Sequence, residues 1–194
     1  MAQGDFRPSP IGDEAARARE ALTLAAQRQH VALLGSGDAG VYGLAGLVYE
    51  IRATMEWQDA PPTVEVIPGV TAATAAAALL GAPLGHDFAV ISLSDLLTPW
   101  EVIARRLEAA AEADFVIALY NPASRARRAQ FEAARAILLR RRPPATPVGI
   151  VTDASRPGER TVITDLGSLA VDEVSMLSIV IVGNSHTAAS TDAW

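Results

Sequence analysis

The stretch from Val31 to Gly43, VALLGSGDAGVYG, constrains the fold more than any other part of the chain. Val31, Ala32, Leu33 and Leu34 form a short apolar run that predicts a buried strand. Glycines follow at 35, 37, 40 and 43, with Asp38 among them. Glycine lets the backbone turn sharply and approach a ligand with no Cβ in the way. A strand running into such a loop marks a ligand site at the carboxyl end of a parallel sheet. Which ligand is open at this level. Gly35, Gly37 and Gly40 satisfy G-x-G-x-x-G, so one reading is an NAD(P)-dependent oxidoreductase using the Gly35–Gly40 loop. That motif also wants an acidic residue at the end of the next strand. Here the next strand, TVEVI, ends in Pro68-Gly69, and Glu65 lies inside it.

The rest of the chain alternates helical and extended patterns. A helix over residues 13–29 delivers the chain to the strand at 31–34, and a second covers about 44–55. Pro61-Pro62 bars its continuation. Residues 63–67 alternate as a strand. Pro68-Gly69-Val70-Thr71-Ala72 is a second tight turn into a helix, with Thr71 as N-cap and the alanine run 72–78 as an excellent helix former. Gly81 and Pro83 end that helix. A strand at 88–93 follows. Thr98-Pro99-Trp100-Glu101 predicts a capping box with proline at the first helical position, opening a helix to about residue 111. A strand at 114–120, a turn at Asn121-Pro122 and a basic helix over 124–139 come next. A strand at 147–152, a hairpin turn at 155–160 into 161–164 and a last strand at 178–182 complete the chain. The expected class is α/β with two sheet-containing lobes, 1–97 and 98–194.

Composition narrows the chemistry. The 194 residues include no cysteine, which excludes disulfides, thiolate zinc sites and a cysteine nucleophile, and fits a cytoplasmic location. The net charge of −6 gives a field that does not favour nucleic acid. No apolar run approaches the ~20 residues of a membrane span. His30, His86 and His186 lack metal-ligand spacing, so no metal is expected. The arginines at 125, 127, 128, 135 and 140–142 read as one solvated helix face rather than a nucleic-acid surface, since Phe131 is the one aromatic nearby.

Several turns coincide with a known family. Ser36-Gly37-Asp38 followed by Val41-Tyr42-Gly43, Pro68-Gly69-Val70-Thr71-Ala72-Ala73, and Leu119-Tyr120-Asn121-Pro122 after a strand together resemble the tetrapyrrole (corrin/porphyrin) methylases. The run from Gly85-His86-Asp87-Phe88 through Ile91-Ser92-Leu93-Ser94-Asp95-Leu96-Leu97-Thr98-Pro99-Trp100 resembles the subgroup that methylates C17 of precorrin-3B, as does Val182-Gly183-Asn184-Ser185 with Thr187. The resemblance implies a two-lobed fold with a cleft between the lobes, an S-adenosylmethionine methyl donor, a tetrapyrrole (precorrin) substrate and a homodimer. It implies that Ser36, Gly37, Asp38 and Val41, then Thr71 and Ala72, then Asn121 and Ala154 line the cofactor. Asp38 is a candidate for stabilising positive charge or moving a proton, and equally for a turn residue bonding its own backbone. Arg125, Arg156 and Arg160 are candidates for the carboxylates of the substrate. Two features depart from the family pattern. The opening strand and G-x-G-P-G loop have no counterpart, so the first lobe is expected to be truncated at its N-terminus and the chain to be an impaired fragment or paralogue as a second reading. Ala39 also stands where the family has proline, which leaves the turn less restricted.

Overall fold

The computed structural model describes residues 6–8, 12–123 and 128–189. The chain divides into two units, Met1–Thr71 and Ala72–Trp194. The boundary expected at 97/98 lies inside the second of these.

In the first unit, two amphipathic helices, α1 (Glu14–Ala26) and α2 (Ala45–Thr54), bury Ala18 and Leu22 against Val48 and Ile51. Leu33, Met55, Trp57 and Val64 pack around this small cluster. The chain after α2 is tied back by side chains. Arg52 Nε donates to the Pro62 carbonyl at 2.8 Å, Tyr49 Oη to Val64 at 3.2 Å, and Trp57 Nε1 to Arg52 at 3.0 Å.

The strands expected at 31–34 and 63–67 do not form; among the described residues the first unit has no strand. Leu34 and Ile67 are both largely exposed. A strand exists only through a ladder with a neighbour, and an isolated pair of strands is marginal in water.

In the second unit the apolar runs do find partners. α3 (Ala72–Leu80) precedes β1 (Phe88–Ser92), α4 (Trp100–Glu112), β2 (Val116–Tyr120), α5 (Arg128–Leu139), β3 (Pro147–Thr152), β4 (Arg160–Asp165) and β5 (Ser178–Val182). The five strands make one sheet in the order β1-β2-β5-β3-β4. β1 and β2 are parallel, while β5 runs antiparallel to β2 and β3, and β4 antiparallel to β3. The carboxyl ends of β1, β2 and β3 therefore share one edge of the sheet.

The period of two sorts side chains onto the two faces. On one face Val116, Ala118 and Tyr120 of β2 and Ile179 and Ile181 of β5 pack with Ala73, Ala76, Ala77 and Leu80 of α3. On the other, Ile117, Leu119, Val180 and Val182 pack with Ile103 and Leu107 of α4 and Phe131, Ala134 and Leu138 of α5. β2 and β5 are buried at every position because both faces are covered. Gly149 admits α3 to the sheet: a Cβ there would lie 2.5 Å from Leu80 Cδ1. The slim alanine helix and the glycine are two halves of one close approach.

One helix start differs from expectation. Pro99 is the N-cap of α4, with φ −54° and ψ 142°, and no side-chain cap bond forms. Trp100 opens the helix, so the expected capping box is absent. The Pro99 carbonyl accepts from Val102 N–H at 3.0 Å, and proline's fixed φ supplies the stop that a serine or threonine cap provides elsewhere.

Candidate functional site

The glycine loop and the turn at 68–71, both in the first unit, meet through Asp38. Its Oδ1 accepts the N–H groups of Gly40 at 2.7 Å and Val41 at 3.1 Å, and its Oδ2 accepts the N–H of Gly69 at 2.8 Å. The first two bonds are an Asx turn within the loop. The third crosses 31 residues of sequence and holds the two turns together. These bonds, Gly69 first and then Gly40, pull the Asp38 carboxyl below the ordinary aspartate range, with Val41 adding to them.

Close backbone approach makes the junction possible. A Cβ on Gly69 would sit 2.2 Å from the Gly37 carbonyl oxygen, and one on Gly43 would sit 2.5 Å from the Ala39 oxygen. Gly37 has φ +79°, in the left-handed region. The Ala39 carbonyl accepts the Ala45 N–H at 2.9 Å, joining the loop to the start of α2. The structure thus brings Ser36, Gly37, Asp38 and Val41 together on one loop, with Gly69, two residues before Thr71, bonded to it.

The second unit assembles the remaining expected residues along the carboxyl edge of its parallel strands. Asn121 follows β2 with φ 50° and donates from Nδ2 to Ser92 Oγ, at the end of β1, at 3.0 Å. Tyr120 Oη accepts the Ala73 N–H at 2.8 Å, so the N-terminus of α3, with Ala72, stands at this edge. Ala154 follows β3 between two left-handed residues, Asp153 at φ 51° and Ser155 at φ 61°. Non-glycine residues in this region cluster where surrounding structure overdetermines the backbone. Arg160 pairs with Thr152 across the β3–β4 ladder, and Arg156 lies in the intervening turn, so both also stand at this edge. Arg125 lies outside the described residues.

The arginine cluster is not one solvated face. Arg142 is buried, and its guanidinium donates from Nη1 to the Gly183 carbonyl and from Nη2 to the Phe115 carbonyl. Arg135 donates to the carbonyls of Leu166, at 2.9 Å, and Gly167. Arg140 and Arg141 do remain at the surface, near Glu108. Burial lowers the Arg142 pKa, and the Asp114 carboxylate acts in the opposite sense. Asp114 itself is held by Ser185, through its N–H at 3.0 Å and its Oγ at 2.5 Å. His86 and His186 lie 6.3 Å apart at this same, opposite edge of the sheet. The segments 85–88 and 182–187, prominent in the sequence, meet here, away from the carboxyl edge.

Sequence reasoning missed Tyr120, Gly69 and Ser92 as supports of the site. Their partners lie 47, 31 and 29 residues away, and no local pattern announces such bonds.

The model of the tetrapyrrole (corrin/porphyrin) methylases matches residues 3–170. The chain belongs to this family. Among curated relatives, the cobalt-factor III methyltransferase of Priestia megaterium is 51% identical over 90% of the chain, and the chain spans 33% of that protein's length. The probable cobalt-factor III C(17)-methyltransferase of Salmonella typhimurium is 51% identical, covering 90% of the chain and 71% of the relative. The precorrin-3B C(17)-methyltransferase of a Sinorhizobium species is 46% identical, covering 90% and 69%. Of solved structures, the methyltransferase CobJ superimposes with a TM-score of 0.89 at 35% identity, covering 96% of the chain and 78% of CobJ. A uroporphyrin-III C-methyltransferase from Thermus thermophilus, solved with S-adenosyl homocysteine, gives 0.59 at 27% identity, covering 86% and 68%. The α/β class and the tetrapyrrole methylase fold expected from the sequence are those of these neighbours. The loop around Asp38 is therefore a tetrapyrrole methylase loop.

Proposed function

We propose that this tetrapyrrole methylase transfers a methyl group from S-adenosylmethionine to C17 of a corrin precursor, precorrin-3B or its cobalt-containing counterpart, in the step that contracts the ring. The observation that carries this reading is 46–51% identity over nine-tenths of the chain to two relatives named for that position. The homodimer and the cytoplasmic location implied by the family belong to the same proposal. The homodimer predicts a light-scattering mass of twice the chain.

The residues fit the donor. Ser36, Gly37 and Val41, Thr71 and Ala72, and Asn121 and Ala154 are mostly small. The close Gly37–Gly69 backbone approach fixes the shape of the loop proposed to meet the donor. S-adenosylmethionine supplies a methyl group already activated on a sulfonium, so positioning provides much of the acceleration. Asp38 acts in this reading as the clamp that fixes the loop. Its carboxylate accepts three N–H bonds, which lower its proton affinity and make it a weak general base. Arg156 and Arg160 are proposed partners for substrate carboxylates.

The same clamp argues against a dinucleotide. The Gly40 and Val41 N–H groups that would cradle a pyrophosphate already donate to Asp38, and its negative charge would repel one.

Incubation of the protein with precorrin-3B or cobalt-factor III and methyl-labelled S-adenosylmethionine tests the reading. Label at C17 of a contracted ring is expected, and donor binding without transfer to either acceptor would leave the impaired paralogue as the better account. Asp38→Asn is expected to raise KM for the donor by about tenfold, because one acceptor oxygen becomes a donor facing N–H groups, while kcat gains no new ionisation. In the parent protein the lowered carboxyl pKa sets the sign. The clamp is complete above the ordinary aspartate value of about 3.9 and is lost as pH falls through the lower folded value. A new limb near neutrality in the kcat profile of the wild type that Asp38→Asn abolishes would instead assign Asp38 to proton transfer.

A further inference from the structure

We infer that Leu96 and Leu97 form an apolar contact for the ring of the tetrapyrrole, and so act as specificity determinants of the proposed methyl transfer; the inference rests on that reading. The two side chains are 79% and 98% exposed, the extreme among the large hydrophobics described. Adjacent exposed leucines give up the stabilisation that burial would bring, which marks a contact surface. Slack in the loop does not explain them. Leu93 is buried, and its N–H donates to the Tyr120 carbonyl at 2.9 Å. Asp95 Oδ2 accepts from Gln130 Nε2 of α5 at 2.8 Å, and Pro99 caps α4 beyond. The leucines are thus presented between anchors on either side.

Their place commits them to one occupant. They follow β1 at the carboxyl edge that also carries Asn121, Ala154 and Arg160. Leu177, 59% exposed, precedes β5 at the same edge. Read across the sheet, apolar side chains after β1 and before β5 give way to Arg156 and Arg160 beside β4. Four strand spacings, about 19 Å, separate β1 from β4. A flat apolar ring with carboxylate arms matches both the width and the change from apolar to cationic. A second copy of the chain, the other candidate for covering two leucines, offers no reason for the arginines.

The test compares wild type with Leu96→Ser, Leu97→Ser and the double variant. The probe for binding is uroporphyrin III, a stable polycarboxylate macrocycle, followed by fluorescence quenching. The double variant is expected to bind it about tenfold or more weakly and to raise KM for the methyl acceptor similarly. Affinity for S-adenosylhomocysteine, melting temperature and light-scattering mass should stay unchanged. Macrocycle affinity within twofold of wild type would overturn the inference, as would a smaller mass in the double variant, which would assign the leucines to self-association. Wild-type protein that binds the macrocycle through these leucines but transfers no methyl would overturn the proposed reaction and leave the contact standing. Wild-type protein that binds no macrocycle would overturn the inference and leave the reaction to the labelling experiment.

Discussion

Gly69→Ala is expected to lower kcat/KM for methyl transfer on the order of a hundredfold. The added Cβ would lie 2.2 Å from the Gly37 carbonyl oxygen, 3.2 Å from the Gly37 carbonyl carbon and 3.3 Å from Asp38 Cα. All three are backbone atoms, so no rotamer change relieves the clash. The turns must separate by an ångström or more, and the Gly69 N–H then leaves Asp38 Oδ2. The loop that is proposed to meet the donor loses its brace. A displacement of about 1 Å in a positioning element suffices for a loss of this size. Gly46→Ala is the matched control: its Cβ meets nothing within 4 Å, and it lies in α2, where alanine is the better helix former by about 1 kcal/mol. Rates for both variants, with melting curves to confirm folding, decide the matter. A Gly69→Ala enzyme within threefold of wild type would remove the clamp from the account.

Arg142→Ala is expected to destabilise the second unit by about 3 kcal/mol. Only 5% of Arg142 is exposed, and its two terminal nitrogens bond the carbonyls of Gly183 and Phe115, joining the chain after β5 to the entry of β2. Removing the side chain leaves both carbonyls without that donor and opens a void beside them. Arg140→Ala is the contrast. Its guanidinium is more than half exposed and sits 3.6 Å from Glu108, so its loss should cost less than about 1 kcal/mol. Urea denaturation of both variants measures the difference directly. Equal midpoints would show that the buried guanidinium contributes no more than a surface one.

The sheet and its helices were largely legible in the sequence, because short apolar runs flanked by turns report burial directly. The strands at 147–152 and 178–182 have the expected bounds. The runs at 31–34 and 63–67 carry the same local signal but no ladder. Strand formation depends on a partner, which a local apolar pattern does not specify. Arg142 shows the same limit for charge. It ends a run of three arginines identical in sequence terms, yet one is buried and two face solvent. At the candidate site, Asp38 was visible as a turn former, and its bonds to Gly40 and Val41 are local. Its bond to Gly69 was not visible, and that bond is what changes a turn residue into a clamp.

Calorimetric titration of the purified protein with S-adenosylhomocysteine, and separately with NAD, tests the central claim most directly. Saturable binding of S-adenosylhomocysteine, in the range of about 1 µM to 1 mM, with no heat from NAD is the predicted result. NAD binding, or no binding of S-adenosylhomocysteine by folded protein, would contradict it.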